Sequence, residues 1–124
     1  MTQLVWIGVA GAFGALARYG VALAVQRSLV SSFPWGILTV NTIGCFFFGL
    51  VFGLAEERGV VRPDLRAIAL IGFLGAFTTF STFAFDTLNL IRAERYALAA
   101  SNVLLSNALG VLAVLAGLAI SRLT

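Results

Sequence analysis

The stretch Gly72-Phe73-Leu74-Gly75-Ala76-Phe77-Thr78-Thr79-Phe80-Ser81-Thr82-Phe83 decides how this chain is read. It lies inside an apolar segment long enough to cross a bilayer, yet its twelve positions hold two glycines, four hydroxyl residues and four phenylalanines. A helix that meets only lipid has no use for that mixture. Backbone groups in hydrocarbon find no water, so a spanning helix can be interrupted only where the freed groups meet protein, cavity water or an ion. Glycine lowers the cost of an interruption, and the hydroxyls of Thr78, Thr79, Ser81 and Thr82 can bond nearby carbonyls. The pattern therefore predicts a break near Gly75 to Thr78, baring carbonyl oxygens that suit a cation. Phe80 and Phe83 stand three apart and share one helical face. An aromatic ring is negative on its face and positive at its edge, so rims directed at one point favour an anion.

The rest of the chain gives this stretch a membrane setting. Hydrophobic residues make up 60% of the 124, and the mean hydropathy is +1.04, well above the apolar share of a soluble domain. A span needs about 20 mostly apolar residues. Four candidates satisfy this: Leu4 to Val25, Trp35 or Ile37 to Leu54, Ala67 to Leu90, and Ala97 to Ile120. The expected fold is an all-α membrane protein, one domain of four spans over residues 1–124, with the third helix broken near its middle. No basic residue precedes the apolar run of the first span and Arg18 interrupts it, so it is kept as a span and not as a cleaved signal.

The charged residues are eight arginines and five acids, mostly clustered between the apolar runs. The net charge of +3 thus reflects loop arginines, not a basic face for nucleic acid. With no histidine and one cysteine, side-chain metal chelation and histidine-based catalysis are excluded within one chain. Cys45 reads as packing. With four spans, Arg58, Arg62, Arg66 and Arg122 fall on one side, and Arg27, Arg92 and Arg95 on the other. The rule that sets orientation needs an arginine bias, and almost none exists, which points to copies inserted both ways up. Arg18, if it reaches the second side, levels the count.

Polar residues at membrane depth usually face a partner or a wet path. Asn41 in the second span can donate two hydrogen bonds to an anion, or glue helices together. The fourth span offers Ser101, Asn102, Ser106 and Asn107, with Asn102 and Ser106 one turn apart; a wet track and helix glue both fit. Arg18 lies about 10 Å from the end of its span at 1.5 Å per residue. It can anchor at the interface or draw anions into a vestibule. Asp86 suits pairing with an arginine of a neighbouring helix. Small residues four apart, Gly49 with Gly53, Ala10 with Gly14 and Ala113 with Gly117, suit close helix crossings and self-assembly.

These residues resemble the small fluoride channels of the CrcB, or Fluc, family. The resemblance covers nearly the whole chain: Gly11 to Tyr19, Gly36 through Asn41 to Gly44, and most specifically Gly72 to Phe83. Ala10 departs from the family's usual pair of glycines at the start of the first motif. The resemblance implies an antiparallel, dual-topology homodimer in the inner (plasma) membrane, passively exporting cytosolic fluoride through two pathways. A structural Na+ at the dimer centre would rest on the main-chain carbonyls of Gly75 and Thr78 from both chains. Phe80 and Phe83 would supply ring edges, Asn41 a donor, and Ser81, Asn102 and Ser106 a polar track. Two other readings compete. A small four-helix multidrug exporter would need a buried carboxylate, and the first, second and fourth spans have none. A non-conducting membrane scaffold would use the glycine faces alone. An enzyme is disfavoured, because no nucleophile with a base and no phosphate loop can be assembled.

Overall fold

The computed structural model of the protein describes residues 1–123 and is all-helical. Four helical stretches are long and apolar enough to cross a membrane: α1 Thr2–Ser28, α2 Trp35–Glu57, α3 Pro63–Arg92 and α4 Tyr96–Leu123. Their boundaries follow local chemistry. Pro34 precedes the first turn of α2, and Pro63 occupies the first turn of α3, where a missing N–H costs nothing. Between α3 and α4 the chain reverses through Glu94, whose φ is +57°.

The helices meet through their small residues. At the α2–α4 crossing, a side chain on Gly49 would run into the Val114 backbone, and one on Gly117 into the Phe46 carbonyl. At the α1–α3 crossing Gly14 abuts the Phe73 backbone. A Cβ on Gly72 would lie 2.8 Å from the Ile7 oxygen and 3.0 Å from the Ala10 Cβ. The glycine pattern thus lets backbones touch where apolar solvent gives no hydrophobic drive. Most large apolar side chains, Leu4, Phe13, Leu104 and Leu115 among them, point away from the bundle, as lipid-facing residues do.

Two wide turns have no counterpart in the sequence reading. Gly53–Glu57 and Ile68–Leu74 are wound as π-helix, and the Arg58 N–H reaches the Gly53 carbonyl five residues back at 3.3 Å. Each wide turn absorbs an extra residue and redirects the side chains after it. The second one ends immediately before Gly75.

The loops gather at two ends. At one, both Arg122 nitrogens bind the Glu57 carboxylate at 2.8 Å, the Arg58 guanidinium donates to the Ser121 carbonyl, and Arg66 pairs with Glu56. At the other, the Gln26 amide donates to the Ser31 and Phe33 carbonyls and accepts from the Gly36 N–H, while Arg95 reaches the Ser32 hydroxyl. Gln26 therefore fixes the α1–α2 loop, a role that no sequence pattern announced.

Candidate functional site: two extended residues inside the third span

Within α3 the main chain is helical over Gly75–Phe77 and again over Phe80–Arg92. Between them it leaves helical geometry at Thr78 (φ −80°, ψ 156°) and Thr79 (φ −151°, ψ 118°). The extended residues stand at the C-terminal edge of the stretch where an interruption was expected, because Gly75 itself keeps helical dihedrals. Their neighbours satisfy most of the polar groups. The Thr78 N–H and hydroxyl both donate to the Leu74 carbonyl at 3.0 Å. The Thr79 hydroxyl caps the helix that follows, accepting from the Thr82 N–H at 3.3 Å, and donates to the Thr82 hydroxyl at 3.1 Å.

Asn41 of α2 completes the arrangement. Its Oδ1 accepts from the Thr79 N–H at 2.8 Å and its Nδ2 donates to the Thr79 carbonyl at 3.0 Å. A primary amide presents one acceptor beside two donors, so it can replace both main-chain partners of a residue outside a helix. Thr79 is buried, and an orphaned buried amide costs about 1–3 kcal/mol.

The interruption takes the N–H four residues on away from the carbonyls of Gly75, Ala76, Phe77 and Thr78, and for Gly75 and Thr78 the new partner of that donor is seen. In a continuous helix the Thr79 N–H would bond the Gly75 carbonyl, and the Thr82 N–H the Thr78 carbonyl. The first is taken by Asn41 and the second by the Thr79 hydroxyl. Gly75 is exposed on the surface of the chain and Thr78 is half-buried. As neutral hard oxygens, both carbonyls fit a hard cation in their donor chemistry.

Beside this lies a groove of about 300 Å³ between α2, α3 and α4. Asn41, Thr78, Phe80, Phe83, Ser106 and Asn107 all line it, with Cys45 and Phe48 among the residues not assigned to it from sequence. The Phe80 and Phe83 rings stand 5.6 Å apart and inclined at 47°, tilted rather than stacked, and both line the groove. Ser81 and Asn102 are not in the groove wall. The Ser81 hydroxyl lies 3.2 Å from that of Thr79, and Asn102 is 1% exposed. Asn102 works through others. Its Nδ2 donates to the Thr87 hydroxyl at 2.9 Å, Thr87 donates to the Phe83 carbonyl at 2.9 Å, and Ser106 donates to Asn102 Oδ1 at 3.4 Å. This chain of bonds ties a hydroxyl of the groove to the backbone of one of its rings, and Thr87 is a member that sequence reading missed.

Arg18 is elsewhere. With Asp86, Gln26, Ser32 and Thr82 it lines a separate cavity of about 570 Å³ at the end that holds the α1–α2 loop. Among the described residues the ion pairs are Arg62–Asp64, Arg66–Glu56 and Arg122–Glu57, so the pairing expected for Asp86 is not formed. Arg18 and Asp86 share a cavity without meeting.

Comparison with known proteins places this sequence in a family. Residues 5–118 match the family model described as CrcB-like protein, Camphor Resistance (CrcB). A relative from Nitrosococcus oceani, named fluoride-specific ion channel FluC, is 46% identical over 121 residues, covering 98% of this chain and 97% of its own. Relatives of the same name from Magnetococcus marinus and Nitratidesulfovibrio vulgaris are 47% identical over 121 residues and 51% over 96. They cover 98% and 77% of this chain, and the same shares of their own.

Proposed function

This chain belongs to the CrcB family, and we propose that it acts as a fluoride-specific ion channel that passively releases cytosolic fluoride. The observation that carries the reading is the groove in which Asn41, Phe80, Phe83 and Ser106 converge beside two freed carbonyls. Fluoride is small and tightly hydrated, so a selective path must replace its water with donors and positive ring edges. Amide, hydroxyl and two phenylalanine rims are that set. An anion inside a negative cell is driven outward by about 2.3 kcal/mol per 100 mV, so no coupled ion is needed.

The third helix, on this reading, is broken at membrane depth, and the dihedrals of Thr78 and Thr79 support it. The Gly75 and Thr78 carbonyls would hold a structural Na+. A hard cation is enclosed by several oxygen ligands, so two carbonyls from one chain are too few. A second copy related by a two-fold axis doubles them. The surface that such a copy would cover carries Gly75, Ile71 at 66% exposure and Phe80 at 78%. The copies would lie antiparallel in the inner membrane. Arg18 shares its cavity with Ser32, which supports counting it with Arg27, Arg92 and Arg95 against Arg58, Arg62, Arg66 and Arg122. Equal counts give no preferred orientation. A cation at the axis would supply positive charge in a low-dielectric interior, where its attraction for fluoride is strongest.

The family is one of ion channels and not of enzymes. The exporter reading would require proton-coupled transport, and the test separates the two. Liposomes holding the purified protein and potassium fluoride are expected to release fluoride once a potassium ionophore relieves the charge imbalance, with no proton gradient applied. Proton-driven uptake of a cationic dye without fluoride release would overturn the proposal in favour of an exporter.

A further inference from the structure

We infer that Asn41 is a positioning residue for the cation site: by replacing the main-chain partners of Thr79 it frees the Gly75 carbonyl, and so sets cation affinity from within the fluoride groove. The inference rests on the cation reading given above, and goes beyond treating Asn41 as a donor to fluoride.

The geometry carries it in three steps. A peptide N–H in hydrocarbon must have an acceptor, and the default acceptor for Thr79 is the carbonyl four residues back, Gly75. Asn41 Oδ1 takes that N–H at 2.8 Å, and Nδ2 holds the Thr79 carbonyl at 3.0 Å, so the Thr79 peptide is fixed at both polar ends. Without Asn41 the cheapest rearrangement lets the Thr79 N–H return to Gly75, which converts a cation ligand into a helical acceptor. Thr78 follows as well, because the Thr79 hydroxyl holds the Thr82 N–H only while Thr79 stays extended. One amide side chain thus governs both oxygens.

The remaining amide hydrogen gives the residue a second face. Nδ2 carries two hydrogens and one is committed to Thr79, while Asn41 also lines the groove with Phe80 and Phe83. An anion that binds the other hydrogen polarises the same amide that holds the cation ligands in place, so occupancy of one site bears on the other.

The test reads cation binding without conduction. Purified protein in detergent is melted over a series of Na+ concentrations, with N-methyl-D-glucamine keeping ionic strength constant, and the Na+ concentration giving half the thermal stabilisation is recorded. Asn41→Leu removes the amide at similar volume and is expected to raise that concentration by about tenfold or more, the effect of turning a cation ligand back into the acceptor of a main-chain hydrogen bond. Gly8→Ala, where an added Cβ meets no neighbour within 4 Å, is expected to keep the wild-type value. An unchanged value in Asn41→Leu overturns the inference while leaving the cation site standing. A wild-type protein indifferent to Na+ overturns the cation site and this inference with it, whatever the fluoride release. If Asn41→Leu does not fold, amide exchange in the wild-type protein decides: Thr79 is expected to be as protected as its helical neighbours, and exchange as fast as that of the exposed loop residue Gly59 contradicts the inference.

Discussion

Fluoride flux falls by about tenfold or more when Phe83 is replaced by Ile, and by a similar factor for Phe80→Ile, since each tenfold corresponds to about 1.4 kcal/mol of barrier. Isoleucine keeps apolar bulk and removes the positive ring edge. The rings are 5.6 Å apart, tilted by 47°, and line one groove, so both are near an ion that enters it. Edge contacts with an anion are electrostatic, and such contacts gain strength several-fold where water is excluded. The substitutions are not equivalent in their second effect. Phe83 is half-buried and its carbonyl receives the Thr87 hydroxyl, whereas Phe80 is 78% exposed on the face assigned to the second copy. Phe83→Ile should therefore melt close to the wild type, while Phe80→Ile should also weaken the self-association proposed above. Fluoride efflux from liposomes and chromatography in detergent separate the two. Unaltered flux in both variants reduces the rings to packing.

Gly44→Ala is expected to cost about 1–3 kcal/mol of stability, the usual range for overpacking, and to abolish most fluoride flux. Gly44 is buried in α2 directly opposite Thr78, and a Cβ there would run into the Thr78 methyl and stand 3.3 Å from the Phe77 ring. Threonine is stiff at χ1, so the methyl can withdraw only by rotating the side chain. That rotation breaks the 3.0 Å bond from the Thr78 hydroxyl to the Leu74 carbonyl. The wedge therefore acts on the two extended residues and on the carbonyl of Thr78 together. Gly8→Ala, where a Cβ meets no neighbour within 4 Å, is the matched control and should behave as the wild type. Equal flux in Gly44→Ala would mean that the Thr78 geometry is not needed for conduction.

Why some of this was legible in the sequence, and some not, is a matter of range. Four spans could be read because hydropathy is local and bilayer thickness fixes a length. The small residues at Gly14, Gly49 and Gly117 announced close crossings for the same reason, although not which backbone each would meet. The hydroxyl and glycine density of Gly72 to Phe83 pointed to an interruption near Gly75 to Thr78, and the non-helical dihedrals fall at Thr78 and Thr79, at the C-terminal edge of that range, whereas the π-wound turn over Ile68–Leu74 has no local signature. The Asn41–Thr79 bonds link residues 38 apart in the chain and no spacing rule reaches that far. Asn102 shows the limit of spacing alone. Its one-turn distance from Ser106 fitted a wet track and helix glue equally, and only its burial and its bond to Thr87 of the neighbouring helix tell where the side chain goes.

The claim on which these expectations depend is that the groove beside Thr78 and Thr79 replaces the water of one small anion and of no larger one. The ratio of fluoride to chloride flux through the purified protein in liposomes, under equal gradients, measures it directly. A ratio of at least about a hundred is expected, equivalent to about 2.8 kcal/mol of discrimination at 1.4 kcal/mol per tenfold. Comparable fluxes of the two ions, or none of either, would contradict it.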